Sequence, residues 1–219
     1  MNSEQPTMGA LSQCRSGIVA LRKGQLLSAV REMRASLETL HSELGMESHP
    51  PSHPFPRMLP SVVSIPVNPE LAQLSKNSSP DNEFDLCLTC FDLTFDECDD
   101  SDLVASVLLY NFAFGMHLYG LNTGTSRHLQ RAMILYKKAK ALIEHRRGDD
   151  RLSHISLALW TNLGHVSSHF LMQEDVHICR QRIRFLLSHG YGLKDSDLLF
   201  FSSMLISDLS NNCRNAAAA

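Results

Sequence analysis

The sequence lacks most of the features that announce a chemistry. It has no glycine-rich phosphate loop and no Gly-x-Ser-x-Gly elbow. Basic residues come as isolated pairs, Arg22-Lys23, Lys137-Lys138 and Arg146-Arg147, and the formal charge is -3. A dedicated nucleic-acid binder needs a basic stripe, so no nucleic-acid partner is expected. No run approaches the roughly 18 apolar residues needed to cross a bilayer. Residues 1–17 show no basic region followed by an apolar stretch, so neither a secretory leader nor a membrane partner is expected. Cysteine is sparse. Cys14, Cys87, Cys90, Cys98, Cys179 and Cys213 are too scattered for a disulfide scaffold and read as reduced thiols. The expectation is an intracellular protein, cytoplasmic or nuclear.

What is present is apolar periodicity. Hydrophobic residues make up 43% of 219 residues, enough to bury a core. An unordered N-terminus is expected over residues 1–10. Gly17, Ile18, Ala20 and Leu21 form a first apolar stripe, broken at Gly24. Leu26, Ala29, Val30, Met33, Leu37, Leu40 and Leu44 then recur at three- and four-residue steps. Residues 11–45 therefore read as a helix pair. Residues 46–100 interrupt the pattern, with eight of the nine prolines between Pro50 and Pro80. Within them Val62, Val63, Ile65 and Val67 are β-branched, and residues 84–95 (FDLCLTCFDLTF) are also strand-like. The two predict a small hairpin with 69–82 as its loop and Pro66 on an edge. Asp99, Asp100 or Ser101 can cap the apolar helix 102–121. Amphipathic helices follow at 129–143, 152–171 and 174–188, then an apolar terminal helix, Leu198 to Leu209. Residues 211–219 read as a fraying tail. The fold class is mainly α, with antiparallel helix pairs stacked as a short α-solenoid.

Residues 160–164, Trp-Thr-Asn-Leu-Gly, match the opening W-x2-L-G of the tetratricopeptide repeat, and the chain resembles that family over about half its length. The other pairs can be laid on the same frame. Gly17, Gly24, Ala29, Met33 and Ser36 take the small, turn, crossing and aromatic places in the first pair. Ala113, Gly120, Ala132, Tyr136 and Ala139 take them in the second. Asn111 and Asn162 fall at matching places. The pattern departs from the family in four ways: the first two units have no Trp, about seven extra residues separate Gly120 from Ala132, Val176, Cys179 and Ile183 replace small residues in the third unit, and residues 46–100, about 55 of them, split the first unit from the second. Such units bury their faces only by stacking.

The resemblance implies a concave groove, lined by first helices and open to solvent, that holds a peptide or a partner helix. Tyr110, Asn111, Phe114 and His117 would supply it from the second pair. Thr161, Asn162, His165, Ser168 and His169 would supply it from the third. The implied function is a protein-binding scaffold with no catalysis, no cofactor and no metal. Two alternatives stay open. One is a metal or catalytic protein using Cys87, Cys90, Cys98 and histidines. Zinc wants four ligands, though, and no second C-x2-C follows. His165 and His169 share a helix face but lack the Glu of a zincin. The acidic run from Asp96 to Asp102 lacks the glycine and glutamate of a calcium loop. The other alternative is an oligomer subunit that docks through its apolar last helix.

Overall fold

A computed structural model of the chain describes residues 7–44, 61–78, 82, 84–94, 100–146, 149, 152–189 and 200–202. Among the described residues ten elements follow in order. Helices α1 (Thr7–Arg22) and α2 (Leu26–Leu44) form the first pair. Strand β1 (Val62–Pro66), a 3-10 turn (Pro69–Leu71), the short helix α3 (Ala72–Ser78) and strand β2 (Thr89–Leu93) make the insertion. Helices α4 (Ser101–Thr123) and α5 (Ser126–Glu144) form the second pair, α6 (Ser153–His169) and α7 (Gln173–His189) the third. Each pair packs on itself, and α2 on α4 and α5 on α6 join successive pairs into a short α-solenoid.

The local reasons are visible in the residues. Gly17 lets α1 meet α2 closely: a Cβ there would stand 2.7 Å from Met33 Cγ and 3.3 Å from the Ala29 carbonyl. Ala132, Tyr136 and Ala139 of α5 are buried at the second crossing, and Val176, Cys179 and Ile183 of α7 at the third. The Asp100 carboxylate N-caps α4 by accepting from the Leu103 amide at 3.0 Å. Arg146, just past α5, also binds the Asp100 carboxylate and ties the two ends of the pair together.

Some boundaries differ from expectation. Helix α1 starts at Thr7 rather than residue 11, because Ala10 and Leu11 already enter the core. Helix α4 continues through Gly120 to Thr123, and Gly124, at φ 62°, makes the left-handed turn assigned above to Gly120. That extra turn of helix accounts for most of the added residues between Gly120 and Ala132. Helix α3 falls inside the expected hairpin loop. By length and composition α4 could cross a membrane, contrary to the sequence reading, but 83% of its apolar window is buried in this fold. The proline-rich run 46–60, the acidic residues 96–99 with Cys98, and most of the terminal helix and tail lie outside the described residues. Of that helix Phe201 is described as buried, edge-on to His154.

Candidate functional site

The site starts from the hairpin register. Strands β1 and β2 pair antiparallel, with Val62 opposite Leu93 and Pro66 opposite Thr89. The Val67 amide donates to the Leu88 carbonyl and the Thr94 amide to the Ser61 carbonyl, both at 3.1 Å. Main-chain groups alternate in direction along a strand. Residues 88, 90, 92 and 94 therefore turn their polar groups to β1, and residues 87, 89, 91 and 93 turn theirs away.

Side chains from three helices meet that second edge. Asn162 of α6 accepts from the Cys87 amide at 2.9 Å and donates to the Cys87 carbonyl at 3.1 Å. Asn111 of α4 accepts from the Phe91 amide at 3.0 Å and donates to the Phe91 carbonyl at 2.7 Å. Between them the Tyr110 hydroxyl donates to the Thr89 carbonyl at 3.0 Å and accepts from Asn162 Nδ2 at 3.0 Å. Beyond them Arg15 of α1 donates to the Leu93 carbonyl at 3.0 Å and pairs with the Asp92 carboxylate at 2.9 Å. The helices thus replace a neighbouring strand, with one polar side chain for every second residue. A carboxamide suits this task because it offers a donor and an acceptor on one planar group, matching a peptide unit.

The repeat frame explains the alignment. Asn111 stands two residues before Ala113, Asn162 two before Gly164, and Arg15 two before Gly17. The same place in three stacked units therefore reaches one extended segment. Arg15 was missed from the sequence because only asparagines were compared, although its spacing from Gly17 carried the signal.

The expected open groove is a correction. Tyr110, Asn111, Phe114, His117, Thr161, Asn162 and His165 do converge, but all seven are buried, while Ser168 and His169 are half-buried. Residues 84–93 fill the space in front of them. Phe84, Leu86, Cys87, Cys90, Phe91 and Leu93 of that segment are buried in turn. Gly164 serves the segment: a Cβ there would fall 2.5 Å from the Phe84 ring. The Phe91 ring lies edge-on to Tyr110, with centroids 5.0 Å apart.

A second buried chain of polar groups runs beneath the segment. Tyr136 Oη, His117, His165 and Ser75 Oγ link at 3.4, 3.0 and 2.6 Å. Burial holds His117 well below the usual imidazole range and His165 down to about 3, with the neighbouring histidines adding to it. Ser75 also lines a cleft of about 390 Å³, with Lys76, Asp85 and His154 on its walls. A serine bonded to an imidazole can act as a nucleophile. The chain of bonds links α3 to α6, α4 and α5.

Burial also pushes Cys14 and Cys179 up to about 12 and raises Cys90, which leaves inert thiols. Among the described residues no group of three or more His, Cys, Asp or Glu side chains is arranged to hold a metal. Comparison with family models, with curated proteins and with solved structures gives no match.

Proposed function

We propose that this protein is a binding module of tetratricopeptide type in which the groove of α1, α4 and α6 grips extended chain by its main chain, its own residues 84–93 in this structure, and which binds a partner protein through that assembly. The observation that carries the reading is the pair of asparagines. Each closes two hydrogen bonds on a single residue of an extended segment, Cys87 and Phe91, at equivalent places in successive units. Contacts of this kind need only an extended backbone, because the affinity comes from main-chain groups. The side-chain contribution is local, with Arg15 taking the Asp92 carboxylate and the Gly164 notch taking an aromatic ring. The reading assigns no reaction.

The test is capture of partners from the source cell by wild type and by Arg15→Ala and Asn111→Ala variants of verified helicity. A partner retained by wild type and lost by both variants supports the groove. Equal recovery by all three moves the contact to another face.

A further inference from the structure

We propose that the cleft between α3 and the segment leading into β2 binds a small zwitterion with an aromatic body, an aromatic amino acid being the simplest case. Binding there does not depend on a partner protein.

Three observations carry it. First, the cleft encloses about 390 Å³, near the low end of the roughly 300–1,000 Å³ of small-molecule sites. That volume suits a metabolite and is too small for a helix of a partner. Second, the lining offers a ready place for a ring. Leu86 and Phe201 are buried there. Phe200 stands edge-on to Phe201, with centroids 5.0 Å apart, and Phe201 edge-on to His154 at 6.1 Å. His154 is held in turn by Ser64, whose Oγ lies 2.6 Å from Nδ1. Rings fixed in this way gain from one more ring in stacked or edge-on contact.

Third, two opposite charges on the walls are unmatched. Lys76 comes from α3 and Asp85 from the extended segment, and both are exposed. Neither side chain has an ion-pair or hydrogen-bond partner among the described residues. A cation or an anion would answer only one of them. A zwitterion answers both, with its carboxylate accepting from the Lys76 ammonium and its ammonium donating to the Asp85 carboxylate. Apolar walls with a few placed polar groups are the usual make-up of a small-molecule site.

The experiment is an NMR titration of the intact chain with three probes: L-phenylalanine, 3-phenylpropionate, which lacks the ammonium, and phenethylamine, which lacks the carboxylate. L-Phenylalanine should shift the amides of Ser75, Lys76 and residues 85–89 saturably, with a Kd on the order of 1 mM for a molecule of this size. Each single-charge probe should bind about two- to fivefold more weakly, the range of an exposed ion pair. Lys76→Met should lower L-phenylalanine to the level of phenethylamine and leave phenethylamine unchanged. Asp85→Asn should lower it to the level of 3-phenylpropionate and leave that probe unchanged. Both positions are exposed, so neither variant disturbs the core. No saturable shift at about 10 mM, tenfold above that Kd, overturns the site. Equal affinity for the three probes, or affinities that neither substitution alters, overturns the zwitterion.

Discussion

Leu171 holds a left-handed backbone, φ 56°, with its side chain 79% exposed. The corresponding turns of the first two pairs carry Gly24 and Gly124, at φ 72° and 62°. All three close the same cap. In the third the Met172 amide donates to the Ser167 carbonyl at 3.0 Å and the Leu171 amide to the Ser168 carbonyl at 2.9 Å. An L-residue pays roughly 1–2 kcal/mol there, partly offset by the freedom glycine loses on folding. Leu171→Gly should therefore raise stability by about 0.5–1 kcal/mol, measured by urea unfolding. Gly164 sits at the opposite extreme. Gly164→Ala must displace the Phe84 ring and should lose about 1–3 kcal/mol, as overpacked core sites do. A Phe84→Leu second change that recovers part of the loss would identify the ring as the obstacle.

The histidine pair makes a prediction about pH. His117 and His165 have folded-state values below the ordinary 6.5, so the unfolded chain binds protons first as pH falls. Their contribution is fully present above about 6.5 and is lost as pH falls below it, toward about 3 for His165, at about 1.4 kcal/mol per unit for each imidazole. His117→Gln with His165→Gln should flatten the acid limb of a stability–pH profile. An unchanged limb would assign acid sensitivity elsewhere.

Among the elements, the segment and its ladder are the unequal partners. Removing Asn162 takes away the two bonds it makes to the amide and carbonyl of the buried Cys87. Asn162→Ala should cost about 2–5 kcal/mol, since each such bond lost at a buried group costs about 1–3. Arg15→Ala, at the open end, should cost less than about 1 kcal/mol. Comparable losses for the two would mean that the ladder is not graded by burial. The helix pairs and the hairpin were legible in the sequence, because the 3.6-residue period and the β-branched run at 62–67 are local signals. Helix α3 was not, because Ala72–Ser78 is too short to show a period and lies in a proline-marked loop. The turn of α4 was misplaced because Gly120 reads as a breaker, whereas packing of Leu129 against it keeps the helix going. A Cβ on Gly120 would stand 2.7 Å from Leu129 Cδ2.

At the scale of the whole molecule, the convergence of Asn111 and Asn162 was legible from their repeat positions. The occupant facing them was not. Residues 84–93 are joined to the groove by contacts spanning 75 residues at Asn162 and 77 at Arg15, and no local pattern reports a pairing of that reach. The groove was expected to be empty because the repeat frame describes the helices and is silent about an insertion between units.

The most direct measurement of the central claim is amide hydrogen exchange, resolved by residue, on wild type and Asn162→Ala. The ladder predicts protected amides at Cys87 and Phe91, facing the helices, as well as at the residues facing β1. In the variant Cys87 should exchange at least about tenfold faster, the loss of about 1.4 kcal/mol from one local bond, with Phe91 still protected. Free-chain exchange at Cys87 and Phe91 in wild type, or identical profiles for the two proteins, would contradict it.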